Sequence, residues 1–230
     1  MSKIKISILI ANYNNEKYIS RCIDSCIKQN INEKYEIILI DDNSSDNSLK
    51  KVKKFKNKIR IIKIKKSKKG LKFNTYYQLN TYLNGLLRAK GEIVCFLDSD
   101  DYFKKNKLST INNFFLKNNL LEIVFDSPIL IDDKKNITHK KKNFGFRKRR
   151  WVSFPPQSCI SIKKDVIIKL KKILFKKKFP LTTLDFRIAA LADLRKINTL
   201  FLTNKLTYYF QHPNNESNKN FQKFNKNWFK

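Results

Sequence analysis

Ala89-Lys-Gly-Glu-Ile-Val-Cys-Phe-Leu-Asp-Ser-Asp-Asp101 is the stretch on which the fold turns. Glu92 to Leu97 reads as a buried strand, and it stops abruptly in three carboxylates, Asp98, Asp100 and Asp101. Working outward from it, the same arrangement recurs upstream. Residues 3 to 11 are apolar and β-branched enough for a strand, and 15 to 30 put Tyr18, Ile19, Cys22, Ile23, Cys26 and Ile27 on one helical face. Tyr35 to Ile40 is a second strand ending in Asp41-Asp42, followed by a Lys-rich helix from about 46. Ile59 to Ile64 is a third strand, and a helix from about 74 to 89 leads into the quoted stretch.

Alternating strands and helices predict an α/β fold with a mostly parallel central sheet flanked by helices. In such sheets ligands bind beyond the carboxyl ends of the strands, so Asp41-Asp42 and Asp98 to Asp101 are expected to converge on one crevice. Downstream, the pattern predicts a helix over 104–118, a strand over 121–131 and a basic excursion over 132–150. A helix over 163–175 carries the apolar stripe Val166, Ile167, Leu170, Ile173 and Leu174 opposite Lys164, Lys169, Lys171 and Lys172. A helix over 183–195, short strands near 197–202 and 205–211, and an Asn-rich tail complete the chain.

Composition narrows the class. A chain of 230 residues with 41% apolar content builds one substantial core. Cys22, Cys26, Cys95 and Cys159 have neither a disulfide framework's pattern nor zinc spacing, so they are expected as buried free thiols in a reducing compartment. No apolar run reaches the roughly 18 residues of a membrane span, and the N-terminus reads straight into a strand. The expected location is therefore cytoplasmic, with peripheral contact at the inner face of a membrane. A formal charge of +31 predicts attraction to polyanions, with compositional drift toward Lys, Asn and Ile as the alternative.

Chemistry concentrates at the strand ends. Asp98 and Asp100 offer hard carboxylate oxygens for a divalent cation completed by phosphate oxygens and water, while Asp101 reads as a cap for the next helix. In Asp41-Asp42-Asn43-Ser44-Ser45-Asp46 one carboxylate is expected to accept from a base N–H or a ribose hydroxyl, and Ser45 or Asp46 to open a helix. After the first strand, Tyr13 offers a stacking surface, and Asn14 or Asn15 a helix cap.

Taken together, Ser7-Ile-Leu-Ile-Ala-Asn-Tyr-Asn-Asn-Glu-Lys-Tyr18, Ile40-Asp-Asp-Asn-Ser-Ser-Asp46 and the quoted stretch resemble a family 2 glycosyltransferase of the GT-A fold over the first 105 residues or so. The resemblance implies that Ala11, Tyr13 and Asp42 line a nucleotide base pocket, that Asp98 lies near ribose and metal, and that Asp100 is the main ligand of Mn²⁺ or Mg²⁺. It implies a single GT-A domain over 1–212, with a nucleotide-sugar half (1–105), an acceptor half (106–212) and a polar tail (213–230). In the second half, Phe154-Pro-Pro-Gln-Ser-Cys-Ile-Ser161 is similar to the acceptor-side segment, Thr183-Leu-Asp-Phe-Arg187 to the catalytic-base motif and Leu206-Thr-Tyr-Tyr-Phe-Gln-His212 to the usual ending.

Asp185 is then the implied base, with a solvent-face neighbour of Arg187 as the plain alternative, and His212 is expected near the diphosphate or metal. Two departures stand out: Leu184 breaks the usual acidic pair, and Thr81-Tyr82-Leu83-Asn84-Gly85 replaces the usual Ala-Arg-Asn, leaving Lys68, Lys69 or Lys72 to meet the diphosphate. The implied reaction is inverting transfer from a nucleoside diphosphate sugar, with uridine the expected base, to a saccharide or lipid-linked acceptor in cell-surface polysaccharide or glycolipid synthesis. The basic helix, the 140–150 cluster and Phe221, Phe224 and Trp228 in the tail suggest an anionic membrane surface as a further partner.

Rival classes fare worse. A nucleotidyltransferase would want a glycine-rich phosphate loop, and the four glycines are scattered. Specific nucleic-acid binding is not expected, because the basic residues are dispersed and no binding module is recognisable. An inactive glycosyltransferase-like protein remains the third reading, resting on Leu83 and Leu184.

Overall fold

The computed structural model describes residues 3–64, 74–134, 136–138, 144–145, 153–176, 182–213 and 215. Lys68, Lys69, Lys72, the cations of the 140–150 cluster and the aromatic residues of the tail lie outside them.

The N-terminal half is the parallel unit that the alternation predicts. β1 (Ile6–Asn12) pairs in parallel with β2 (Tyr35–Asp41) on one side and β4 (Ile93–Asp98) on the other, and β3 (Arg60–Lys63) extends the sheet beyond β2. α1 (Ile19–Ile27), the short α2 (Ser48–Val52) and α3 (Asn74–Leu86) make the crossovers. Along β1 the side chains alternate between two cores, as the two-residue period of a strand requires. Ile6, Ile8 and Ile10 meet Cys22, Ile23 and Cys26 of α1, whereas Leu9 meets Leu79, Tyr82 and Leu86 of α3.

The C-terminal half adds antiparallel neighbours that the alternating pattern does not announce. β8 (Ile160–Lys163) lies antiparallel between β4 and β6 (Ile123–Asp132), and β9 (Thr199–Gln211) runs parallel to β6. β5 (Tyr102–Phe103) closes the far edge against β9, giving the order β3-β2-β1-β4-β8-β6-β9-β5, with β7 (Ile137–Thr138) paired to β6. The two strands expected near 197–202 and 205–211 form one 13-residue strand. The break between them is absorbed as a register irregularity opposite Ser127 and Pro128 of β6 rather than as a turn.

Three helices cover this half: α4 (Lys107–Lys117), α5 (Lys164–Leu174) and α6 (Leu184–Leu194). α5 buries Val166, Ile167, Leu170 and Leu174 as expected. Ile173 departs from the stripe: it lies in the last turn and is 45% exposed. All four cysteines are free and buried, and among the described residues no helix is long and apolar enough to cross a membrane.

Candidate functional site

The carboxyl ends of β1, β2 and β4 are stitched together by backbone and side chain. Ala11 sits in register between Ile40 and Asp98, and its carbonyl accepts from Ser99 N at 3.1 Å. Asn12 donates to Asp41 Oδ1 at 2.8 Å and its carbonyl accepts from Asp42 N at 2.9 Å. Asn15 donates to Ser99 Oγ at 2.7 Å. The two acidic clusters therefore open onto one crevice.

Their carboxylates divide the work. Asp41 is buried and accepts from Asn12, Ser44 N and Ser44 Oγ, so its charge is consumed in shaping the turn. Asp42 stands half-buried beside it, and burial, followed by the Asp41 charge, pushes its carboxyl up to about 6. Asp46 accepts from Ser48 N at 2.9 Å, one residue ahead of Asn47, which holds the N-cap position of α2 without a side-chain capping bond. Tyr13 is 61% exposed at the mouth. Asn14 adopts a left-handed backbone (φ 50°) and turns its amide oxygen to Ser45 N and Asp46 N. Neither Asn14 nor Asn15 caps α1 with its side chain: Asn14 reaches across to the Asp41–Asp46 turn, and Asn15 lends its carbonyl to Tyr18 N and Ile19 N.

After β4, Asp98 Oδ1 accepts from Tyr82 OH at 2.7 Å and Gln78 Nε2 at 3.0 Å. Burial, then the neighbouring Asp100 charge, pushes the Asp98 carboxyl up to about 7, and the Asp185 charge adds to the rise. Asp100 Oδ2 lies 3.0 Å from His212 Nε2. His212 is buried, packed on Tyr18 with ring centroids 4.8 Å apart, and its backbone N–H donates to Asn215. Arg21 holds the Asp100 carbonyl from α1 at 3.0 Å. Asp101 does not cap the following helix. It is buried and accepts from Ser158 Oγ and Phe210 N, which ties the acidic turn to the 157–159 turn and to β9.

Asp185 lies in the first turn of α6, its Oδ1 2.8 Å from Phe186 N, and burial raises its carboxyl above the ordinary range. Arg187 is not its solvent-face neighbour. That guanidinium is buried and donates to the carbonyls of Leu174 and Lys176, both at 2.7 Å, at the end of α5.

Ala11, Tyr13, Asp42, Asp98, Asp100 and His212 are thus gathered around the three strand ends, while Asp185 stands in the first turn of α6; Lys72 lies outside the described residues. Tyr82, Gln78, Ser158 and Arg21 are additions to the predicted set. Tyr82 was detectable in principle. A fully buried tyrosine on the same face as Leu79 and Leu86 needs a partner for its hydroxyl, and the acidic strand end supplies one. Among the described residues no three His, Cys, Asp or Glu side chains cluster as a self-sufficient metal cage.

An α/β sheet with acids at the ends of adjacent parallel strands is the architecture of the GT-A fold. Residues 7–173 match the model of glycosyl transferase family 2, and the chain belongs to that family. An uncharacterized glycosyltransferase of Nostoc sp. is 29% identical over 92% of this chain and 66% of its own length. The poly(ribitol-phosphate) beta-N-acetylglucosaminyltransferase TarP of Staphylococcus aureus is 36% identical over 50% of this chain and 34% of its own length. The crystal structure of S. aureus TarS 1-349 in complex with UDP superposes with a TM-score of 0.69 at 20% identity, covering 91% of this chain and 61% of that one. The chain thus spans between about a third and two thirds of these relatives.

Proposed function

We propose that this chain transfers a sugar from a UDP-sugar to an acceptor hydroxyl with inversion, in the synthesis of a cell-surface polymer. The observation that carries the reading is the contact of Asp100 with His212, with Asp98 two residues away, at the carboxyl end of the parallel strand β4. Names of relatives that act on poly(ribitol-phosphate) point the same way.

In this reading Ala11, Tyr13 and the Asp42 carboxylate receive the uracil ring, Tyr13 by stacking and Asp42 by accepting a base N–H. Asp185, its carboxyl raised by burial, takes the proton from the acceptor hydroxyl as that oxygen attacks the anomeric carbon. The donor set fits Mn²⁺ or Mg²⁺: Asp98 and Asp100 crowd like charge that a cation would relieve, and a diphosphate would complete the oxygen ligands. Asp100 and Asp98 would hold the ion, with His212 alongside, and when bound it would supply electrostatic stabilisation of the departing diphosphate. The acceptor is a saccharide or lipid-linked chain, and the basic surface favours one presented at an anionic membrane.

Thermal melts with UDP and UDP-sugars, with and without Mn²⁺ or Mg²⁺, test this on wild type and Asp100→Ala. A ligand at 100 times its Kd stabilises by about 2.7 kcal/mol. The expected result is stabilisation by a UDP ligand that grows with metal and loses that growth in Asp100→Ala. Indifference to every nucleotide would overturn the proposal. Asp185→Asn is expected to keep donor-induced stabilisation while losing about 10²–10⁴ in kcat, the usual worth of a general base.

A further inference from the structure

The side chain of Lys107, at the start of α4, is 0% exposed and sealed from solvent. Its ammonium pairs with Asp126 of β6, which is equally buried, and donates to Thr207 Oγ1 of β9 at 2.7 Å and to the Ser158 carbonyl at 2.8 Å. Thr207 Oγ1 in turn donates to Asp126 Oδ1 at 2.8 Å. One cation thus clamps α4, β6, β9 and the 157–159 turn, leaving the central charges fully bonded.

What hangs on the clamp is the acidic turn. The carbonyl of Ser158 is fixed by Lys107, and its hydroxyl faces the other way: it donates to Asp101 Oδ2 at 2.5 Å and accepts from Asp98 N at 3.0 Å. Asp101 then binds Phe210 N at 2.9 Å, two residues before His212, whose ring meets Asp100. Hydrogen bonds therefore lead from Lys107 through Ser158 to the backbone of Asp98 and to Asp101, the neighbour of Asp100, and from Asp101 to Phe210, two residues before His212.

We infer that Lys107 and Ser158 are positioning residues: the buried Lys107–Asp126 pair, acting through Ser158, holds the turn that carries Asp98 and sets Asp100 against His212. This rests on the proposed use of those acids in holding a metal–diphosphate. A buried pair replaced as a pair by apolar groups often leaves the fold intact, whereas removing one partner strands the other charge. The variants are accordingly Lys107→Met/Asp126→Leu, and Ser158→Ala with the ion pair in place.

Two readouts are compared with wild type: the side-chain ¹⁵N signals of His212, with His139 as the chain's other histidine, and UDP affinity with and without Mn²⁺. Both variants are expected to melt cooperatively, to shift the His212 signals, and to lose at least tenfold of the Mn²⁺ enhancement. UDP affinity without metal should stay within threefold, because Ala11, Tyr13 and Asp42 are off the path. His212 signals and Mn²⁺ enhancement unchanged in a folded variant would overturn the inference. Should the double variant fail to fold, Ser158→Ala decides alone. Should wild type ignore UDP, the proposed function falls, while the His212 signals still decide the positioning role.

Discussion

Tyr82 supplies the test of how tightly Asp98 is held. Tyr82→Phe removes one hydroxyl from a fully buried ring and one hydrogen bond from Asp98. The expected cost is about 1–2 kcal/mol in a denaturant melt, with Asp98 titrating still higher because a bond that favours its charged form is gone. Asp42 gives a prediction with a definite sign. Its folded pKa of about 6 lies above that of an ordinary carboxylate, so ionisation works against the folded state. That penalty is absent below about pH 4, grows as pH rises toward 6 and is complete above it. Asp42→Asn should therefore raise Tm at pH 8 and leave it nearly unchanged at pH 4; an equal shift at both would show that the charge is not responsible. At this scale the acids themselves were legible in the sequence, but their division of labour was not. Asp41 and Asp42 are adjacent and chemically alike, and only the pleat decides which one turns inward to Asn12 and Ser44. Asp98 to Asp101 pose the same problem, and there the outcome depends on Ser158 and Phe210, both distant in sequence.

Gly85 and Gly91 separate two kinds of tight contact between elements. A Cβ at Gly91 would meet Ser7 N at 2.4 Å and Ile6 C at 2.6 Å, which is backbone of β1 and cannot move alone. At Gly85 the same atom would meet Ile40 Cδ1 at 2.6 Å, the far end of a flexible side chain of β2. Gly91→Ala should cost about 2–3 kcal/mol or more and Gly85→Ala distinctly less, as read by paired chemical melts. A reversed order would mean that β1 yields more easily than the core beneath α3. Arg187 is the corresponding test for α5 and α6: Arg187→Met leaves the carbonyls of Leu174 and Lys176 without their donor and should destabilise by about 2–4 kcal/mol. The parallel unit of β1, β2 and β4 was readable because each strand is a run of apolar residues followed by turn chemistry and a helical stripe. β5 is two residues long and β8 four, too short for periodicity to register. The strands expected near 197–202 and 205–211 are one because pairing with β6 carries β9 straight through Thr203-Asn204-Lys205.

For the whole molecule the dominant quantity is the charge of +31, spread along the chain rather than gathered into a motif. Co-sedimentation with anionic but not neutral vesicles is the expected outcome, released by about 0.5 M salt as screening shortens the reach of each lysine. Equal binding to both vesicle types would remove the membrane surface from the list of partners. Long-range pairing explains why the molecule's second half resisted the sequence. Its sheet order joins β4 to β8 and β6 to β9, partners that local propensity cannot name. The four buried thiols have a practical consequence. Burial raises Cys22, Cys159 and Cys95 alike, the last to about 11, so little reactive thiolate is available in the folded protein. A maleimide probe should therefore remain idle on the native chain and react as the sheet opens. The protein carries its own unfolding clock, and a cysteine introduced at an exposed position such as Tyr13 would accept a dye there alone.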